Sequence, residues 1–395
     1  MPRGLWLRVV APGALLSLVA IGMVAVLTGG TRGGATLKEP ALGPTGSAAP
    51  ASKPALEAVL PGLQRFVEEA RGLRFKRPVQ LQLLDDDAFR RRIRTLTRGS
   101  LVEGNRRLRV LKAFGLVPAD ADLSQAQRDA GAGIIGLYDP KTNRLVVRGK
   151  EPTPYVRGVI VHELTHALQD QHFNLLRVGA QRGGSALGHT GVVEGDATRI
   201  EQRYLDSLSA GEQQLVALEA ASLGASGAGA PTPPAVSAFV AFPYRFGAQF
   251  TTELVERSGQ AALDAAFGNP PGTAEQLMHT DAFVAGEAGR RVPAPGTEGG
   301  RRALITDTLG EFGIRVLLSD VVAEDEVARA AEGWGGDRYV AWVDGDRNCA
   351  RLHVVMDTPA DAEELLAALR TWAATPANAG TTVEGIDPIA VTSCH

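Results

Sequence analysis

The chain has 395 residues, 44% of them hydrophobic and 22% charged, and a formal net charge of −3. This composition is that of a globular protein with room for a substantial core, and it excludes an intrinsically disordered chain. The near-balanced charge gives no general drive toward nucleic acid, and no nucleic-acid partner is expected. Only two cysteines occur, Cys349 and Cys394, so a disulfide-dense scaffold is excluded as well.

The N-terminus is a separate material. Arg3 and Arg8 precede an apolar stretch from Val9 to Leu27, with Trp6 at its start. Nineteen residues span about 28 Å as a helix, close to the hydrocarbon thickness of a bilayer. Residues 1–28 are therefore expected to be a signal peptide or an N-terminal membrane anchor. Leu27 is too bulky for the second small position of a cleavage site that Ala25 would open, which favours a retained anchor. The positive flank would then stay inside, placing the rest of the chain on the extracytoplasmic side; cleavage would make it secreted or periplasmic. Residues 29–54, rich in Gly and Pro and poor in bulky side chains, read as a flexible linker.

Folded structure is expected from about residue 55. Leu56, Val59, Leu60, Leu63, Phe66 and Val67 form a helical stripe, open to interruption at Pro61. Residues 78–84 suggest a strand. The run Arg90, Arg91, Arg92, Arg94 and Arg98 encloses Phe89, Ile93 and Leu96 at helical spacing, a solvated basic face rather than a nucleic-acid patch. Two more helical pieces are expected at 104–114 and 121–129. Gly131, Gly133 and Gly136 have the spacing of a dinucleotide loop, but a helical segment precedes them and no helix opens after them, so that reading fails. Residues 134–148 instead suggest a β-hairpin turning at 139–143. Helices are then expected at 154–173 and 190–209. An Ala/Gly/Pro-rich linker follows at 221–235, a mainly helical stretch at 236–285 and a loop at 289–300. The last hundred residues suggest helices at 308–319 and 323–331, strands at 339–343 and 351–356, a helix at 359–373 and a strand at 388–393.

The chemistry lies in His162-Glu163-Leu164-Thr165-His166. Residues four apart on a helix share a face, so both imidazoles can meet one ion, and Glu163 lies beside that face as a general base for water. A catalytic zinc needs a third protein ligand and an open position. Glu194 is the preferred third ligand, because Val192 and Val193 precede it and Gly195 follows it, the mark of a tightly packed helix. Asp196, His172 and His189 are the alternatives. Glu201 shares the Glu194 face at seven residues' distance. The expected cofactor is Zn(2+), held by His162, His166 and Glu194.

Residues 162–173, with Glu194-Gly195-Asp196-Ala197, resemble the gluzincin metallopeptidases, the thermolysin-like group, and within it a set of exported bacterial proteins. The stretches at 270–279 and 333–339 resemble that set too. The resemblance implies an α+β fold: a zincin-like metallopeptidase core with a small sheet beside the active-site helix, a mainly helical downstream part and a small C-terminal α+β unit. It implies zinc-dependent hydrolysis of peptide bonds, with a peptide or protein as substrate. The hairpin at 134–148 would supply the edge strand along which an extended substrate lies. One position departs from the thermolysin pattern: Thr198 stands where an acidic residue normally supports a zinc histidine, and Asp170 is expected to take over that support. His279, oriented by Glu275, is expected to stabilise the transition state, ahead of Tyr244, which reads first as an aromatic anchor. A zinc hydrolase of another bond and a silent metal-binding scaffold are the alternatives; an intact Glu163 argues against the scaffold. The implied division is a zincin-like domain over 55–220, a linker and helical cleft part over 221–300, and the C-terminal unit over 301–395. In that unit Cys349 precedes one strand candidate and Cys394 follows another, so the two are expected to be bonded.

Overall fold

The computed structural model describes residues 56–121, 134–149, 151–178, 184–226 and 233–395. The first helix, α1 (Leu56–Arg71), runs through Pro61 without a break. Strand β1 (Gln80–Leu84) follows, and then α2 (Asp86–Ala113), whose first turn is capped by the Asp85 carboxylate accepting from Ala88 N. The sequence suggested two helices here. They are one, because both ends are held: Phe89 and Ile93 pack into one apolar core, while Val110 and Ala113 pack into another. Glycines within such a helix weaken it but do not break it. The helix expected at 121–129 falls, but for its first residue, outside the described residues.

The hairpin is present as β2 (Gly136–Asp139) and β3 (Arg144–Arg148), paired antiparallel, and β1 joins β3 in parallel on the far side. In this three-stranded sheet β2 is an edge. Helix α3 (Pro154–Phe173) lies against it. Thr153 caps this helix by accepting from Val156 N, Pro154 occupies its first turn, and Asn174 ends it in the left-handed conformation at φ 60°. It is buried on nearly every side from Tyr155 to Gln169. A short α4 (Leu175–Val178) leads on to α5 (Gly184–Asp206), α6 (Ala210–Ser226) and α7 (Pro234–Ser258). The expected linker at 221–235 is partly helix, since the small residues after Ala210 carry α6 on to Ser226; residues 227–232 lie outside the described residues.

Helices α5 and α7 touch backbone to backbone. A Cβ added to Gly195 would stand 2.1 Å from Gly247 C, and one added to Gly247 would stand 2.1 Å from Gly191 O. On the same face of α5, a Cβ at Gly188 would fall 1.8 Å from Pro271 O. Glycine is required at this crossing for space, whatever its φ.

Three short helices, α8 (Gln260–Gly268), α9 (Ala274–Met278) and α10 (Thr280–Ala285), complete the helical part. The C-terminal sheet has the strand order β4-β5-β6-β8-β7, from β4 (Ile305–Asp307), β5 (Trp334–Asp344), β6 (Arg347–Met356), β7 (Thr382–Glu384) and β8 (Ile389–Cys394). Helices α11 (Gly310–Leu318), α12 (Glu324–Ala331) and α13 (Pro359–Ala373) share one apolar core with this sheet. A capping box of Thr358 and Asp361 starts α13. Cys349 and Cys394 are bonded, as expected, and lie directly opposite on β6 and β8. The neighbouring pair Asn348 and His395 exchanges both backbone hydrogen bonds, so the cysteines occupy a non-hydrogen-bonded pair, where side chains approach most closely. The fold is thus mostly helical with two small sheets.

The expectation of a membrane anchor, and of the membrane as a partner, is corrected. No helix among the described residues is long and apolar enough to cross a membrane. Residues 9–27, on which that expectation rested, lie outside the described residues.

Candidate metal centre

Helices α3 and α5 bring His162, His166 and Glu194 together, all buried. The two Nε2 atoms are 3.0 Å apart, and each is 3.3 Å from Glu194 Oε2. A tetrahedral zinc with bonds of about 2.0–2.1 Å sets its ligand atoms about 3.3–3.4 Å apart. The three atoms therefore have the spacing of ligands already arranged about an ion.

The outer nitrogens show which way each ring is set. His162 Nδ1 lies 3.0 Å from Glu201 Oε2. A carboxylate there accepts, so Nδ1 carries the proton and the Nε2 lone pair faces the centre. His166 Nδ1 lies 3.0 Å from Gln169 Oε1. The Gln169 amide has no freedom to turn, because its Nε2 donates to Val193 O at 3.0 Å and to Asp196 Oδ2 at 3.1 Å. Its oxygen must face His166, and that ring too is left with a lone pair inward. Two imidazole lone pairs and a carboxylate oxygen at one buried point repel each other unless a cation joins them. Among the described residues, Glu194 Oε1 and Glu163 Oε1 are, in addition, buried without a hydrogen-bond partner. The donor set fits zinc.

Without a cation, protons compensate. Burial alone would pull the His162 pKa down, but its bonds to Glu194 and Glu201 carry it up to about 10. Burial would raise the Glu194 carboxyl, yet the charge of His166 and the bond to His162 hold it below its ordinary value. Burial lifts Glu163 to about 7 against the downward pull of His166, His162 and the Tyr138 N–H. A carboxylate lifted toward neutrality is suited to accept a proton and give it back.

Glu163 sits between the triad and the edge strand. Its Oε2 accepts from Tyr138 N at 2.6 Å. Arg148 N donates to Ile135 O, so pairs alternate along the hairpin and the backbone of Tyr138 points away from β3. The Tyr138 side chain reaches the same helix: its hydroxyl donates to Asp170 Oδ2 at 2.8 Å. Strand β2 is an edge as expected, but its residues are buried, and an incoming peptide finds the Tyr138 N–H already engaged by Glu163.

The expected supporting role of Asp170 is corrected. That carboxylate accepts from Tyr138 Oη and from Leu175 N, and the supports of the histidines are Glu201 and Gln169. Each leaves a signal in the sequence, though not a deciding one. Glu201 shares the Glu194 face of α5, and Gln169 lies one turn after His166. Of the alternative ligands, Asp196 is paired with Arg71 and Arg199, and His172 Nε2 lies 2.9 Å from Arg74 O. His189 is buried outside the triad.

Of the two expected transition-state donors, Tyr244 is the one in contact with the triad. It is buried, its ring centroid is 6.4 Å from that of His162, and its hydroxyl interacts with Glu194. Burial, and then the charges of Glu194 and Glu163, hold its pKa well above the ordinary value, so it stays a donor. The close approach of Gly195 to Gly247 brings Tyr244, one turn before Gly247, to Glu194. His279 is half exposed, with its Nε2 3.1 Å from Glu311 Oε2, and the largest influence on its raised pKa is that bond.

A model for a family described as a domain of unknown function, DUF8575, matches residues 301–391, which hold most of the C-terminal sheet and lie outside the metal centre. No curated protein and no solved structure matches the chain.

Proposed function

We propose that this protein is a zinc-dependent peptide hydrolase built on a zincin-like core. The observation that carries the reading is the triangle of His162 Nε2, His166 Nε2 and Glu194 Oε2, with both Nδ1 atoms bonded outward. Zinc held there would polarise the scissile carbonyl and acidify a water beside it.

The residues of the chain do the rest. Glu163 takes one proton from the attacking water as its oxygen bonds to the carbonyl carbon, and delivers it to the amide nitrogen as the C–N bond breaks. The C–N cleavage leaves a carboxylic acid and an amine, the acid's remaining proton passes to the amine to give carboxylate and ammonium, and Glu163 is regenerated. Its bond from Tyr138 N aims the carboxylate at the triad through both proton transfers. A donor is needed where negative charge develops on the carbonyl oxygen. Tyr244 has its contact with Glu194 in its favour, and His279 is the second candidate.

The test is metal analysis paired with an unfolded-protein assay. The expected result is one zinc per chain, lost on His162→Ala or His166→Ala. Glu163→Gln should keep the zinc and lower turnover by about 10²–10⁴-fold, the scale of a general base. A protein that binds no transition metal would sink the reading. Zinc with no turnover on any peptide would leave a metal-binding scaffold or a hydrolase of another bond.

A further inference from the structure

Behind the triad lies a buried polar chain that hydrolysis as described above does not use. Arg71, the last residue of α1, is buried, and its Nε donates to Asp196 Oδ2 at 2.6 Å. That same oxygen accepts from Gln169 Nε2, and the other Asp196 oxygen accepts from Arg199 at 2.8 Å. Gln169 then faces His166 Nδ1. Arg71 is fixed from its other sides as well. Its Nη2 donates to Asp264 at 2.6 Å, and its guanidinium carbon lies 5.8 Å from the ring centroids of both Phe173 and Phe267.

Such a chain is poor value as a source of stability. A buried ion pair gives back little more than its desolvation cost, and apolar side chains of similar volume usually do as well. What it does supply is direction. Asp196 can hold the Gln169 amide only if its own carboxylate is held in place, and Arg71 Nε, with the planar guanidinium tied to Asp264 through Nη2, holds it from a fixed direction. The other histidine, His162, has a carboxylate bonded to it directly and needs no intermediate.

We propose that Arg71 is a positioning residue for the metal ligand His166, acting through Asp196 and Gln169. Through this chain α1, which contributes no ligand, sets the direction of one ligand's lone pair. The proposal rests on the metal reading above.

The experiment measures zinc affinity of the full chain by competition with a chromophoric chelator, for wild type, Gln169→Met, Arg71→Lys and the double variant. The visible spectrum of the cobalt-loaded protein is recorded alongside as a readout of ligand geometry. Gln169→Met is expected to weaken zinc binding about 10–100-fold, as loss of a partner behind a ligand does. Arg71→Lys keeps the charge and loses the fork; it should weaken binding about tenfold and alter the cobalt spectrum. The double variant should bind no worse than Gln169→Met alone, because both act on one path. An Arg71→Lys protein with wild-type zinc affinity and spectrum, or losses that multiply in the double variant, would overturn the proposal. Should Arg71→Lys not fold, Asp196→Asn in its place puts the same question, with the same non-additivity expected. Wild-type protein without zinc affinity sinks the metal reading itself, an outcome distinct from either of these.

Discussion

In the C-terminal sheet the interior is mostly apolar: Ala350, Leu352 and Val354 of β6 meet Leu365, Leu369 and Trp372 of α13 in one core, and the buried Asp337 is satisfied by Leu309 N, Gly310 N and Trp334 Nε1. Between α3, α5 and α7 the interior holds His162, Glu163, His166, Gln169, Glu194, Asp196 and Glu201, all buried. The first region is stable by burial and one covalent bond, and no ligand is needed to explain it. The second removes ionisable groups from water at a cost that hydrogen bonds offset only in part, since Glu163 Oε1 and Glu194 Oε1 have no partner among the described residues. The contrast teaches where the candidate functional site stands out: in the region whose sequence is worst chosen for stability alone. It also predicts that the two regions respond to different perturbations.

The largest effect is expected at the helix crossing. Gly195→Ala would set a methyl 2.1 Å from Gly247 C, where only backbone can yield. Overpacking of this kind costs about 3 kcal/mol or more. Because α5 carries Glu194, the variant should lose zinc, while the C-terminal sheet keeps its disulfide. Metal analysis with peptide mapping of the bond checks both, and normal zinc content would show that the crossing does not set the ligand's position.

The converse perturbation is next in size. The bond between Cys349 and Cys394 closes a loop with a sequence separation of 45. Its removal in Cys349→Ala/Cys394→Ala should cost about 2–4 kcal/mol. Zinc affinity should remain that of the wild type. Denaturant melts with and without zinc would show it, and a fall in zinc affinity would mean the two regions are coupled.

A third perturbation acts on the centre alone. Proton and zinc compete for His162, whose pKa stands at about 10 without metal. Zinc must therefore displace a proton, and affinity should rise about tenfold per pH unit between pH 7 and 9. The linkage runs the other way for the metal-free fold. A raised histidine pKa contributes stability that is present below the unfolded value of about 6.5 and is lost as pH rises through the folded one. Chelator competition across that range measures the slope, and a flat profile would mean that His162 holds no proton before zinc arrives.

The same contrast governs how much was legible in the sequence. The C-terminal unit is written in local signals: alternation along β6, and Thr358, Pro359 and Asp361 at the start of α13. The helix expected at 359–373 stands at those residues. The hairpin and α3 were legible for similar reasons. In the centre, the spacing of His162 and His166 names the ligands on one helix, and Gly195 marks a close approach. What a sequence does not carry is which face of α5 meets α3. That decides whether Glu201 or Asp170 supports a histidine, and it follows from a backbone contact with Gly247, 52 residues away (247 − 195). The two helices suggested at 86–114 failed for a related reason: residues at both ends of one helix pack into apolar cores and hold it across its glycine-containing middle.

The smallest effect expected belongs to His279. The sequence favoured it over Tyr244 because Leu277 and Met278 could bury it and Glu275 could orient it. Leu277 and Met278 are buried, but the imidazole is half exposed and paired with Glu311, which also binds Arg315. A half-exposed pair of this kind is worth at most about 1 kcal/mol. His279→Ala should then leave zinc content unchanged and lower kcat/KM by no more than about fivefold, the equivalent of that 1 kcal/mol. Tyr244→Phe removes one hydroxyl from a buried ring beside Glu194, and should lower kcat/KM by about 10²-fold, the scale of one oxyanion donor. Both should fold, since neither change opens a large cavity in the core. Kinetics of the two variants on one peptide decide between the donors: a large loss confined to His279→Ala would return the role to the histidine and leave Tyr244 as packing for Glu194.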